Sequence, residues 1–233
     1  MKSDNTNGHL SRMRKYESIA AICWLPMHII GVPLLLLILF PEMDSVDLNF
    51  WMYAGGTAVL GAICARYLVS DMEPFWSRPG PILKLVLISF GVGLAGNAVT
   101  GLVVQLIPPG SNPNNDAVME LAGQAGWKVT VMTVFLAPVL EELIFRAGIF
   151  GSIRRKSRIL AYIVCILLFS VYHVWGYAIN DPTAWVYLLQ YLPMSFLLCF
   201  CYEKTQCIWT SVLFHMANNA FSLWALSLQS QLG

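Results

Sequence analysis

Apolar residues dominate the chain in seven runs separated by short polar stretches. The runs occupy residues 17–40, 50–70, 83–107, 128–150, 159–179, 184–202 and 207–227, and a helical membrane span needs about 20 mostly apolar residues. They are continuous rather than alternating, which excludes a barrel of transmembrane strands. The first run is too long for a signal peptide, lacks a small-residue cleavage site and is followed by more runs. The pattern predicts an all-α fold, a polytopic transmembrane helix bundle of about seven spans. The expected organisation is one membrane domain over residues 1–233, with N-terminal helices in 1–127 and a polar-bearing helical core in 128–227.

Composition narrows the function classes. The chain is 57% hydrophobic and 12% charged, with a net charge of +1. A disordered chain needs low hydrophobicity and high charge. A nucleic-acid binder needs a basic field, so no nucleic-acid partner is expected. The six cysteines (Cys23, Cys64, Cys165, Cys199, Cys201, Cys207) lie in or beside apolar runs, unlike those of a secreted disulfide scaffold. Cys199 and Cys201 are two apart on a helix and face different ways, so they read as packing residues rather than metal ligands.

Lys and Arg set the expected orientation, because positive loops stay in the cytoplasm. Lys2, Arg12, Arg14 and Lys15 precede the first run, and Arg78 lies between the second and third. Arg154, Arg155, Lys156 and Arg158 join the fourth and fifth, and Lys204 joins the sixth and seventh. The alternate loops hold Glu42, Asp44, Asp47, Asp116, Glu120 and Asp181, with Lys128 at their edge. This predicts a cytoplasmic N-terminus and an exterior C-terminus. The stretch 108–127, with Pro108, Pro109, Gly110, Asn112, Pro113, Asn114 and Asn115, reads as an external loop. A compact multi-pass chain without targeting signals suits a bacterial inner membrane.

Ionisable groups inside a span are costly, by roughly 2.5–3.5 kcal/mol on insertion scales, and mark function by default. Here they are Glu141, Glu142 and Arg146 in the fourth run, His173 in the fifth, and His215 with Asn218 and Asn219 in the seventh. At about 1.5 Å per residue, Glu141, His173, His215 and Asn219 lie roughly 13–22 Å from the cytoplasmic ends of their spans, at one common depth. Glu142 and Arg146 are four apart and can pair. Glu141 points about 100° away from Glu142 and is left for another partner. Pro138, one turn earlier, can kink the helix and make room for water, so Glu141 suits a general base. His215 and Asn219 are also four apart, and two neutral donors so placed can hold an oxyanion. His28 stands alone near Pro26 and Pro33 and reads as a packing residue.

Three segments together resemble the CAAX prenyl protease and bacteriocin-processing family (CPBP, Abi) of intramembrane glutamic-type endopeptidases. E-E-x-x-x-R is matched by Glu141, Glu142 and Arg146, F-x-x-x-H by Phe169 and His173, and H-x-x-x-N by His215 and Asn219. The resemblance covers roughly residues 128–222. It implies a four-helix catalytic core with a cavity open to the cytoplasmic side. It also implies that Glu141 and His173 activate water, that His215 and Asn219 stabilise the tetrahedral intermediate, and that Glu142 and Arg146 support them. The sequence departs from the family at Thr205-Gln206-Cys207 and at Ser195-Phe196-Leu197-Leu198-Cys199, where members often carry Thr-Gly-Ser and glycines. The expected activity is hydrolysis of a peptide bond in a membrane-associated peptide or protein, lipidated or not, without a cofactor. The alternatives are a zinc peptidase with Glu141, His173 and His215 as ligands, a non-catalytic bacteriocin-immunity protein on the same fold, and a proton-coupled transporter. Against the last, the polar residues cluster in one half and no repeat pairs them.

Overall fold

The computed structural model describes residues 13–106 and 112–232. Lys2 and Arg12, used above for orientation, and Pro108, Pro109 and Gly110 of the expected loop lie outside the described residues. The chain is helical almost throughout, with no strand among the described residues. In order, α1 is Lys15–Leu39, α2 Ser45–Ile63, α3 Ala65–Ser77, α4 Pro79–Gln105, α5 Pro113–Thr130, α6 131–154, α7 Arg158–Ala178, α8 Pro182–Thr205 and α9 Ile208–Leu232.

Four of these, α1, α4, α7 and α8, are long and apolar enough to cross a membrane, and α2 with α3 makes a fifth if the pair, bent by 74°, counts as one span. Large apolar side chains face outward along them, among them Leu34, Leu35, Ile38, Leu87, Leu102 and Leu167, each at least half exposed. Such surface is stable only in lipid or against another apolar surface, so the chain is a multi-pass membrane protein. Seven spans are expected from the apolar runs. The two runs that do not stand out by hydropathy here fall in α6 and α9, which carry Glu141, Glu142, Arg146, His215, Asn218 and Asn219. The groups that mark function also dilute the apolar signal.

The expected external loop is a correction. From Pro113 onward it is helix, because Asn112 caps the start by accepting from the Asn114 amide at 3.0 Å and Pro113 occupies the first turn. The asparagines and proline that suggest a loop are the start signal of α5. Backbone at Ala125 (φ −151°, ψ 71°) then breaks α5, letting its first part lie against α2, α7 and α9 before the chain turns into α6.

The bundle has two unlike poles. At one, Arg66 pairs with Glu17 at 2.6 Å, and Glu203 takes Arg154 at 2.5 Å, Arg158 at 2.8 Å and the Tyr162 hydroxyl at 2.8 Å. At the other lie Asp44, Asp47, Asp116 and Asp181, with Lys128 paired to Asp47. The core is densest toward the basic pole. Every residue from Leu140 to Gly151 is buried, enclosed by α1, α7, α8 and α9. Close approach of α1 to α6 rests on Gly148, where an added Cβ would stand 2.9 Å from that of Ala21.

Gly148→Ala is therefore expected to lower the thermal midpoint of the detergent-solubilised protein, with an overpacking cost of about 1–3 kcal/mol. Adding Ala21→Gly should recover most of the loss. Size-exclusion profiles after graded heating measure both, and an unchanged midpoint for Gly148→Ala would contradict the close α1–α6 contact.

Candidate active site

The site is built where α6, α7, α8 and α9 converge, and a local feature of α6 decides its shape. Wide turns over Val131–Leu136 and Leu143–Phe150 flank the ordinary helix Ala137–Glu142. In the first wide turn the Ala137 amide donates to the Met132 carbonyl, five residues back. The same register would pair the Thr133 carbonyl with residue 138, which is proline and has no N–H. The Asn219 amide nitrogen of α9 fills that vacancy, donating to the Thr133 carbonyl at 2.9 Å. The carbonyl that Pro138 leaves over thus anchors α9. Thr57 of α2 donates to the Leu136 carbonyl at 3.1 Å, tying down a third helix.

The Glu142–Arg146 pair forms as the spacing predicts, with Arg146 Nη1 3.0 Å from Glu142 Oε1 and both side chains fully buried. Arg146 Nη2 also donates to Ser195 Oγ of α8 at 3.3 Å, and its guanidinium lies over the Phe169 ring of α7, 4.3 Å from the centroid. The same Glu142 oxygen accepts from His215 Nδ1 of α9 at 2.9 Å. One carboxylate therefore joins α6 to α9, and its guanidinium partner joins α6 to α7 and α8.

These contacts fix both imidazoles. His173 Nδ1 faces the Phe169 carbonyl at 2.8 Å, and a carbonyl only accepts, so Nδ1 carries the hydrogen. His215 Nδ1 donates likewise to the Glu142 carboxylate. In each neutral ring the lone pair then sits on Nε2, and both Nε2 atoms lie 3.8 Å from Glu141 Oε2. That oxygen is buried and has no hydrogen-bond partner among the described residues. Glu141 Oε1 lies 3.5 Å from the Tyr53 hydroxyl, which shares a 2.9 Å hydrogen bond with the Tyr172 hydroxyl.

Glu141, His173, His215 and Asn219 come together as the depth estimate predicts, and all four border one cavity of about 780 Å³. Asn218 is buried and borders it too, whereas Glu142 and Arg146 stand behind the wall. The expectation of two neutral donors at His215 and Asn219 needs amending. The donor at His215 Nε2 exists only when the ring is protonated, and one amide donation of Asn219 is committed to Thr133. His28 is buried against the edge of the Tyr53 ring, centroids 4.7 Å apart, with no partner for either ring nitrogen among the described residues. Sequence reasoning missed Tyr53, Tyr172 and Tyr191. Tyr191 stacks on His173 with centroids 4.6 Å apart. Tyrosines read as ordinary membrane aromatics in sequence, and nothing local marks these three. Among the described residues, no group of three or more His, Cys, Asp and Glu side chains is gathered so as to hold a metal ion.

Comparisons with known proteins bear on the family. Residues 123–221 match the family described as Rce1-like, the type II CAAX prenyl endopeptidase Rce1-like proteins. That segment contains all three motifs. The chain is similar to UPF0177 protein YvdC of Lactococcus lactis subsp. lactis, 29% identical over 166 residues, which are 69% of this chain and 60% of that protein. It is similar to the protein named "Putative membrane peptidase YdiL" of Bacillus subtilis, 29% identical over 109 residues, 46% of this chain and 41% of that one. UPF0177 protein YxdF of Lactococcus lactis subsp. lactis is 36% identical over 93 residues, 40% of this chain and 47% of that one. The chain thus spans about two fifths to three fifths of the length of these relatives. No solved structure matches the chain. The resemblance to the CAAX prenyl protease and bacteriocin-processing family read from the motifs is borne out.

The buried ion pair generates a stability prediction. Arg146→Ala leaves the Glu142 carboxylate in the core with His215 alone, and breaking a buried pair costs about 3–5 kcal/mol. The double variant Glu142→Gln with Arg146→Met removes both charges and keeps an acceptor for His215, so it should be milder. Thermal unfolding in detergent compares them, and a double variant less stable than Arg146→Ala would contradict the pairing.

Proposed function

We propose, taking the likeness to the Rce1-like proteins as premise, that the chain is an intramembrane endopeptidase that hydrolyses a peptide bond in a membrane-associated peptide or protein. The observation that carries this reading is the unpartnered oxygen of Glu141, buried on the cavity wall 3.8 Å from two imidazole Nε2 atoms. That separation is too long for a direct hydrogen bond and suits one water shared between the groups.

In this reading Glu141 and His173 take a proton from the water as it attacks the substrate carbonyl, forming the new C–O bond. The oxyanion is stabilised by His215 protonated at Nε2 and by the remaining amide donor of Asn219. The negative Glu141 and Glu142 then balance the positive Arg146 and His215, so the site is neutral overall and its cost in a low-dielectric core is reduced. The proton held on Glu141 or His173 passes to the leaving amine as the C–N bond breaks. Glu142 acts through His215 by accepting from Nδ1, which orients the ring and supports its positive charge, and Arg146 acts through Glu142. No metal takes part in this scheme.

Membranes carrying the intact chain or Glu141→Ala can be compared by peptide mass spectrometry, and a peptide released only by the intact chain identifies the substrate. On that substrate, Glu141→Ala and His173→Ala are each expected to lower turnover by at least about 10²–10⁴-fold, while insertion and expression persist. Near-normal turnover by purified Glu141→Ala would sink the assignment.

A separate measurement addresses the metal. Activity should survive prolonged incubation with strong chelators. One zinc per chain by elemental analysis, with activity lost to chelator and restored by zinc, would replace the scheme by a zinc site on Glu141, His173 and His215.

A further inference from the structure

The cavity is not placed symmetrically along the bundle. Glu141 is the acidic group on its wall, thirteen residues from Lys128 near the end of α5 and thirteen from Arg154 at the end of α6, hence about 20 Å from each pole along the chain's helical path. From Glu141 toward the basic pole there is no passage along α6, since Leu140 through Gly151 are all buried. Along the basic half of α9, Ile208, Val212, Phe214 and His215 are buried, and a small pocket at Trp209, Leu213 and Met216 shares no lining residue with the cavity. From Glu141 toward the acidic pole the packing loosens. The cavity runs there past Asn97, Tyr177 and Gln190 and reaches Asn49, Asn115 and Ser222, all only half-buried or exposed. Its far wall is the first part of α5, which lies across this end of the bundle.

The poles differ in charge as well as in packing. Arg14, Lys15, Arg66, Arg78, Lys84 and Lys204, with the cluster 154–158, gather at or near the closed pole. At the open pole the cation among the described residues is Lys128, neutralised by Asp47. Clusters of Lys and Arg beside membrane spans are retained in the cytoplasm. The closed pole is therefore the cytoplasmic one, and the mouth faces the other side. The family resemblance implies the reverse, a cavity open to the cytoplasm.

We propose that the site of this chain is entered from the extracytoplasmic face, so that its substrate is a peptide segment presented in or above the outer leaflet, such as an exported peptide or the outer end of a membrane-anchored one. The cavity lining suits a peptide backbone. Asn97, Asn114 and Asn115 bring amides to it that both donate and accept, as peptide groups do, beside the mutually bonded Asn112 and Gln190. Glu141 is the charged side chain among the lining residues, and no Lys or Arg joins it there to hold an anionic headgroup. The substrate class rests on the peptidase reading above, whereas the direction of entry does not.

Cysteine accessibility in intact bacterial cells tests the direction. In a Cys23→Ser background, which removes the exposed native thiol, Asn115→Cys or Ser222→Cys is placed at the mouth and Lys156→Cys at the closed pole. A membrane-impermeant maleimide should label either mouth cysteine in intact cells and Lys156→Cys only after permeabilisation. The bulky label at the mouth should also cut cleavage of the identified substrate by at least tenfold, with the label at Lys156→Cys leaving it unchanged. Mouth cysteines that react only after permeabilisation, with Lys156→Cys reactive in intact cells or silent throughout, would overturn the proposal even if cleavage is normal. Labelling as expected, with no cleavage by any variant, would instead overturn the peptidase reading and leave the direction of entry standing.

Discussion

The Glu142 carboxylate is the constraint on which the remaining site geometry depends. A carboxylate at this depth is tolerable only if its charge is matched and it is hydrogen-bonded. Arg146 matches the charge from one turn away, and His215 takes a second bond to the same oxygen. The guanidinium must then be housed too, which the Phe169 ring and Ser195 do. Four helices are thereby held to one level by a single charged cluster. Phe169 has two roles, since its ring faces Arg146 and its carbonyl orients His173. The orientation of both imidazoles toward Glu141 follows from two acceptors, the Phe169 carbonyl and the Glu142 carboxylate.

Pro138 exerts the second constraint. Losing one N–H in a wide turn would leave the Thr133 carbonyl unpaired inside the membrane, a cost of several kcal/mol. Asn219 relieves it and so brings α9 against the widened part of α6. The result is a bundle dense in its basic half and open in its acidic half, with Glu141 at the boundary. A carboxylate on such a boundary is reachable by water from one side only, which in the proposed hydrolysis keeps the opposite side of the membrane sealed.

Much of this was legible from the chain alone. The helical membrane class followed from uninterrupted apolar runs, and the pairing of Glu142 with Arg146 from a spacing of four. The common depth of Glu141, His173, His215 and Asn219 needed only the helical rise and the ends of the spans. Less legible were α5, whose capping asparagine and first-turn proline have the composition of a loop, and the bend between α2 and α3, which falls at Cys64 with no proline to announce it. The three tyrosines beside the site carried no signal, because their contacts join residues as far apart as Tyr53 and Tyr172.

The sequence by itself determined the solvent of the fold, the level of the polar groups and the local partners one turn apart. These depend on composition and helical period, which are properties of neighbouring residues. Only the tertiary structure decided that His215 reaches Glu142, that Asn219 answers the vacancy made by Pro138, and that the cavity runs toward the acidic pole. Those facts depend on which helices stand side by side and how closely they pack. In a membrane, the apolar spans present similar surfaces to one another, so pattern alone cannot choose among the pairings.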